Sequence, residues 1–520
     1  MSRCFQVLIA MVLTLCQAQE ALCAHIKVTS PAAGVLSSGS TTVTFNVTWN
    51  ASWRSSSGVG NWDAAWAFVK FRTTTGGTLG DWKHASLNDS GHTMPSGAAY
   101  SVGYVDTSAA FNISTNPGVG VFIYRSSDSA SDTFTANNVS LSWNYSQDGV
   151  ANIDTVEVRV FAIEMVYIPT GSFFAGDTGS STAAFKQGSA DNDPWYIGSE
   201  SSISVNSQAG TGTGFGETNS EYYYVGGGAV QEDVTGASFT IPAAFPKGYQ
   251  KFFMMKGEVS QGQWVSFFNT LNATQKATRD ITSNLNGGKN TDAVVYRNNV
   301  NWAGFGDAML PDQGGGATYE AVAMNYVGWA DLTAYLDWAG LRPMSELEYE
   351  RAGRGPYRAL AGEFAWGSTA ITGATVINNA GKDSESAESG ANCVWNNAVG
   401  VQGPMRVGAM SYNHSTRLDS GAGYYGNMDL TGNLYERTVT VGNSAGRLFN
   451  GSRHGNGTLD SSGDSDVSSW PSADAVGSGN RGGAWNAATS VSTLSARGGA
   501  SFTYPARFFR YGIRGVRVAP

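Results

Sequence analysis

Thiols, imidazoles and carboxylates are the side chains with which this chain could do chemistry, and each class is thin. Of the four cysteines, Cys4, Cys16 and Cys23 stand within the first 24 residues, which leaves Cys393 as the one thiol of the body of the chain. Set between Asn392 and Val394, it reads as a small buried apolar residue, not a nucleophile. The five histidines, His25, His84, His92, His414 and His454, include no i, i+4 pair of the kind a metal-binding helix requires. They read as turn and surface residues. Glu346, Glu348 and Glu350 fall on a helical stretch and read as a solvated face, not a glycosidase pair. A phosphate-binding Gly-Lys-Ser/Thr loop is absent from the sequence.

The scaffold that would position these groups is large and weakly charged. Hydrophobic residues make up 41% of the chain, aromatic residues 12%, and there are 15 tryptophans, enough for two or three ordinary cores without disulfides. Net charge is -9 with only 14% charged residues and no basic cluster, so no nucleic-acid partner is expected. Met1-Ser2-Arg3 ahead of the apolar run Val7 to Leu15 has the layout of a signal peptide over residues 1–24. That run is shorter than the roughly 20 residues a membrane span needs, so a secreted or surface-held protein with no transmembrane segment is expected.

Residues 25–162 read as an all-β sandwich. Val43, Phe45, Val47 and Trp49 alternate with Thr44, Asn46, Thr48 and Asn50, and Val139, Leu141, Trp143 and Tyr145 alternate with polar neighbours in the same way. Val156, Val158 and Val160 supply a third strand. Asn46, Asn50, Asn138 and Asn144 each begin an Asn-X-Ser/Thr triplet, as do Asn88, Asn112, Asn272, Asn413, Asn450 and Asn456, so ten candidate glycosylation positions arise. From residue 163 to 520 the pattern changes. A Gly/Ser-rich insertion occupies about 176–228. Helices are expected after Ser260, from about Gly328 to Trp338, and after Ser345, whose hydroxyl and Glu348 form a capping box. The 66 glycines imply many tight turns.

The order of segments in this second part resembles a known family. Met165-Val-Tyr-Ile-Pro-Thr-Gly171, Gly257-Glu-Val-Ser-Gln-Gly-Gln-Trp264 and Trp338-Ala-Gly-Leu-Arg-Pro-Met-Ser-Glu-Leu-Glu-Tyr349 come first. Asp429-Leu-Thr-Gly-Asn-Leu-Tyr-Glu436, Asn480-Arg-Gly-Gly-Ala-Trp485 and Gly512-Ile-Arg-Gly-Val-Arg517 follow. Together they are similar to the sulfatase-modifying-factor, or formylglycine-generating enzyme, domain. The resemblance implies a loop-rich, C-type-lectin-like α+β domain behind the sandwich. The family's enzyme oxidises a substrate cysteine with copper held by two cysteines of its own, soft donors suited to the reduced metal. Here the family's serine is Ala484 and the cysteine positions fall at or near Ala487 and Ser492. No copper and no catalytic residue of the usual route is therefore expected. A branch of the superfamily that uses histidine-bound iron is also a poor match.

The resemblance further implies structural calcium, held by Asp429, the carbonyls of Gly432 and Leu434, and Glu436, hard oxygen donors of the kind calcium takes. A second such site would draw on Asn392 and the carbonyl of Cys393, with no clear carboxylate to complete it. The segment 485–512 is expected to offer a binding face. Arg481, Trp485, Asn486, Arg497, Tyr504 and Tyr511 are its candidate ligand-binding residues, with Phe502, Arg507 and Phe508 beside them. The leading expectation is a non-catalytic extracellular or cell-surface protein for binding, adhesion or surface-structure assembly. Its partner would be a glycan, a protein or a second copy. The rivals are an enzyme with different chemistry in the same pocket and a self-assembling filament subunit.

Overall fold

The computed structural model describes residues 26–75, 77–177, 181–187, 194–206, 222–223, 231–232, 238–398, 400–411 and 416–520. The signal-peptide segment, Asn413, His25 and His414 lie outside them. Among the described residues no helix is long and apolar enough to cross a membrane.

The N-terminal part folds from strands β1 (Lys27–Ala33), β2 (Thr41–Arg54), β3 (Asp63–Thr75), β4 (Ala98–Tyr104), β5 (Gly118–Arg125), β6 (Ser129–Trp143) and β7 (Thr155–Ile168). One sheet has the order β1-β2-β6, and it faces a second that runs β4-β5-β3-β7. The alternation in β2 is realised as expected: Val43, Phe45, Val47 and Trp49 are all buried. They meet Val139, Leu141 and Trp143 of β6 and Ala65, Ala67, Val69 and Phe71 of β3 in one apolar cluster.

The second sheet does not stop at the end of the sandwich. Beyond Ile163, β7 pairs with β8 (Phe252–Met255), which pairs with the last strand of the chain, and that strand pairs with Arg342–Pro343. In chain order the two added beyond β8 are β9 (Arg342–Pro343) and β12 (Gly515–Val518), while β10 (Glu436–Val439) and β11 (Ser478–Arg481) form a separate two-stranded sheet. The boundary expected between residues 162 and 163 therefore falls inside a strand that both parts share. β3 explains why two cores can meet there. Its residues Ala65, Ala67 and Val69 face the sandwich, while Ala64, Trp66 and Phe68 face Trp264, Trp329, Leu332 and Trp338 of the C-terminal part. A strand buried on both faces loses the polar alternation and becomes an apolar run, Ala64-Ala-Trp-Ala-Phe-Val69.

Polar contacts close the seam. Trp66 Nε1 donates to Ala339 O at 2.7 Å, Lys70 Nζ donates to Gly457 O at 2.7 Å, and the Arg517 guanidinium donates to the carbonyls of Tyr104 and Gly340. A Cβ on Gly120 would lie 2.4 Å from the Trp66 ring, so only glycine leaves room for the indole there.

The C-terminal part has short helices α1 (Gln261–Phe268), α2 (Ala273–Arg279), α3 (Trp329–Trp338) and α4 (Glu346–Arg354) among long turns. Ser260 with Gln263, and Ser345 with Glu348, form the capping boxes that start α1 and α4. The α2 helix was not expected; Asn272 caps it through Gln275, so this candidate glycosylation side chain is also a helix cap. The insertion is anchored by short strands. Phe173–Ala175 pairs with Trp195–Ile197, and Phe185 and Trp195 stack with ring centroids 4.2 Å apart.

Candidate functional site

Two loops and one hairpin gather most of the residues singled out by sequence. β10 pairs with β11 so that Glu436 stands opposite Arg481 and Arg437 opposite Asn480. The loop leading into β10 is wound by left-handed backbone at Asp429, Gly432 and Asn433. At Gly432 a Cβ would meet Val394 O at 2.4 Å and Cys393 Sγ at 2.5 Å, which is why this position is glycine. Glu258, at the end of β8, holds the loop from behind by accepting from Leu434 N at 3.0 Å and from Asn433 Nδ2.

Three carboxylates, Glu258, Asp429 and Glu436, thus surround the loop, and Arg514 is the cation bonded among them, donating to Glu436 Oε1 at 2.6 Å. Burial, and then mutual repulsion, pushes the carboxyls of Glu258 and Glu436 above their usual range. Burial does the same to Asp429 against the pull of Gly408 N and Arg514. Asp429 Oδ2 accepts from Gly408 N at 2.7 Å. The Gly432 and Leu434 carbonyls accept no hydrogen bond from the described residues. Two carboxylates and two unengaged carbonyls are oxygen donors of the kind a hard divalent cation takes. No cluster of three His, Cys, Asp or Glu ligands occurs among the described residues, so the carbonyls would have to complete the set. The second expected site differs. Asn392 Oδ1 accepts from Thr372 N, and Cys393 O accepts from Ala374 N, so both groups are already engaged.

The candidate binding residues separate into two sets. Arg481 and Arg497 are interior, not surface, residues. Arg481 bonds Glu346 and Glu350, and Arg497 bonds Glu346 twice while stacking on Phe185. The expected solvated face of α4 is corrected by these contacts: Glu346, Glu348 and Glu350 are buried, neutralised by Arg481 and Arg497 from distant segments and by Arg342 and Arg354 nearby. Arg507 is likewise interior, held by Asp331.

The second set is aromatic and forms a shelf. Phe502 and Tyr504 stack at 5.8 Å and 8°, Phe508 and Phe509 lie 4.5 Å apart, and Phe509 stacks on Tyr296 at 4.6 Å. Arg510 lies over Phe508 and Phe509 at 5.5 and 5.2 Å. Tyr296 is 39% exposed, and Phe502, Tyr504, Phe508, Phe509 and Arg510 are half-buried. Trp485 and Tyr511 lie beneath, buried, and support the shelf without forming its surface. Asn486 is half-buried, with its amide oxygen enclosed. Tyr296, Phe509 and Arg510 were not singled out by sequence. The run Phe508-Phe-Arg-Tyr511 carried the signal for the last two, and nothing local marked Tyr296.

Ala484, Ala487 and Ser492 are all buried. Ser492 Oγ donates to Ala488 O at 3.0 Å and abuts Gly483, so the segment closes on itself. No nucleophile elbow was expected, and the residues correct this. Gly442-Asn-Ser-Ala-Gly446 has the spacing of a nucleophile elbow and follows a strand. The described histidines are bonded elsewhere, to Val119, to Asn88 and Ser142, and to Ser452 and Val518, which leaves none as a base for Ser444. His84, His92 and His454 are buried, a correction to their expected surface placement.

The family model of the sulfatase-modifying factor enzyme 1-like domain matches residues 213–519. The chain belongs to this family. No curated protein matches the chain. As a sulfatase-modifying-factor domain, the C-terminal part is loop-rich, and its β10–β11 pair lies between the acidic loop and the segment that holds Ala484, Ala487 and Ser492. The candidate glycosylation positions lie mostly away from it. Asn46, Asn50, Asn88, Asn138 and Asn144 cluster on or beside the β1-β2-β6 sheet, while Asn112, Asn450 and Asn456 stand elsewhere; none of the described ones is buried.

Proposed function

We propose that this chain is a non-catalytic, extracellular member of the family, in which the aromatic shelf binds a glycan or a protein. One observation carries the reading: rings of Phe502, Tyr504, Phe508, Phe509 and Tyr296 line up at the surface under a guanidinium, while the thiol positions hold alanine and serine. Half-exposed aromatic and arginine side chains on a rigid support are what interface anchors consist of. Without soft donors at 487 and 492, reduced copper has no site there and a substrate thiol would not be oxidised. Calcium, if bound by Asp429, Glu436 and the carbonyls of Gly432 and Leu434, would fix the loop under the hairpin and do no chemistry. The five Asn-X-Ser/Thr triplets around the β1-β2-β6 sheet suit an exported surface, and the signal-peptide layout suits the same destination.

Glycan-array and protein-capture binding of the purified chain, beside the same chain carrying Phe508→Ala or Tyr296→Ala, tests this. Binding that drops at least tenfold in either variant supports the shelf. Undiminished binding, or conversion of a cysteine peptide to an aldehyde with oxygen uptake, overturns the reading.

A further inference from the structure

Asp63, Glu164 and Lys256 meet in the seam between the two parts of the molecule, and none of them serves the shelf or the acidic loop. Register brings them together. β3 and β7 pair Asp63 with Val166 and Ala65 with Glu164, so the two acids sit diagonally on one face of the sheet. Lys256 N then donates to Glu164 O as the chain leaves β8. The Lys256 ammonium lies 3.4 Å from Asp63 Oδ2 and 3.1 Å from Glu164 Oε2, with side-chain exposures of 3%, 0% and 6%. Glu164 accepts no aligned hydrogen bond on either oxygen, and Trp53 covers the ammonium at 5.1 Å. One buried cation against two buried acids is a costly way to build a salt bridge.

The Asp63 carboxyl is arranged as an electrophile. Oδ1 accepts from Ser52 Oγ at 2.8 Å and from Trp53 N at 3.2 Å, two donors placed where charge develops when the carbonyl carbon is attacked. Oδ2, the oxygen nearer Lys256, accepts from Trp49 Nε1 at 2.9 Å. Burial, against the opposing pull of Lys256, pushes the Asp63 carboxyl up to about 6, which favours its neutral and more reactive form.

We propose that Lys256 and Asp63 join through an intramolecular amide bond, with Glu164 as the proton carrier. Glu164 takes a proton from the ammonium and frees the Nζ lone pair, which bonds to Asp63 Cγ while Oδ1 holds the developing charge against Ser52 and Trp53 N–H. Oδ2 already carries the carboxylic proton; Glu164 passes its own proton to it, the Cγ–Oδ2 bond breaks, and one water departs. Glu164 then takes the second proton from nitrogen and releases it to the adjoining cavity, so ammonium and carboxylic acid give an amide, one water and one proton, and no oxidant or cofactor is consumed. A cavity of about 320 Å³ lined by Glu164, Lys256 and Glu258 adjoins the site and offers the water a place to go. The bond would staple β3 to the segment after β8, in a chain whose body holds a single cysteine and no disulfide.

Intact mass measurement and tryptic mapping of the purified full-length chain decide the matter. The expected wild-type mass is one water below that of the sequence from its observed N-terminus, with a branched peptide joining the fragments that contain Asp63 and Lys256. Chains carrying Glu164→Gln or Lys256→Arg are expected at full mass without that branch. A wild-type chain at full mass, a missing water without the branched peptide, or a missing water that persists in Lys256→Arg each overturns the proposal. Because the wild-type mass is decisive by itself, the test stands even if a variant fails to fold.

Discussion

Glu346 on α4 accepts from Arg481 at 3.0 Å and from Arg497 at 2.7 and 3.1 Å, three charge-assisted bonds with all partners out of contact with water. Burial alone would raise the Glu346 carboxyl, but Arg497 and Arg481 more than reverse it and hold it below its usual range. Replacing it by Gln removes the carboxylate that the two buried guanidinium groups share, leaving Arg481 with Glu350 and Arg497 with Glu232 alone. Glu346→Gln is therefore expected to lower stability by about 3–5 kcal/mol, read as a fall in the urea midpoint.

His454 predicts an acid-sensitive seam. Burial first, then Arg517 and Arg342, holds its imidazole well below its usual range; it accepts from Val518 N at 3.0 Å. The folded chain keeps it neutral, while the unfolded chain protonates it below about pH 6.5. Its contribution is therefore complete above that pH and is lost as pH falls below it. The melting temperature of wild type, minus that of His454→Gln, is expected to shrink between pH 7.5 and 5.5. A constant difference would refute this.

Gly120 predicts a steric penalty of another kind. Its Cβ position lies in the Trp66 ring, so Gly120→Val is expected to overpack the seam at a cost of about 1–3 kcal/mol, seen as a lower thermal midpoint. Gly58, whose added Cβ would meet nothing within 4 Å but which has left-handed backbone, is expected to suffer only the milder backbone strain when replaced by Ala.

The acidic loop predicts a calcium-dependent melt. If Asp429 and Glu436 hold the ion, a hundredfold excess of calcium over its Kd adds about 2.7 kcal/mol of stability. Asp429→Asn with Glu436→Gln should abolish the response, and magnesium, which demands a tighter octahedron, should not substitute. Equal melting in calcium and in chelator would remove the ion from the account.

Features set by neighbours in sequence were legible, and those set by distant partners were not. Ser260 with Gln263 and Ser345 with Glu348 announce their helices because both capping partners lie within one turn. The alternation of Val43 to Trp49 announces a half-buried strand for the same reason. The fate of Glu346, Glu348 and Glu350 depended on Arg342 and Arg354 nearby and on Arg481 and Arg497 far along the chain, so three buried acids resembled a wet face. The shared strand was hidden too: the alternation of Val156, Val158 and Val160 gives way to the buried run Ile163-Glu-Met-Val166, and only pairing with β8 shows that this change of pattern is not a change of strand. At the site, Tyr504 and the loop from Asp429 to Glu436 came from motif order, whereas Tyr296 reaches the shelf by a loop with left-handed backbone that no local pattern foretold.

Because β7 belongs to both halves, the molecule has no linker at which to bend. A pull applied at the shelf would reach β4 through strands lying edge to edge, loading their ladders together in place of unzipping them one by one. A truncation at residue 163 would not release a free module; it would tear a hydrogen-bonded ribbon lengthwise and leave a raw edge on each piece.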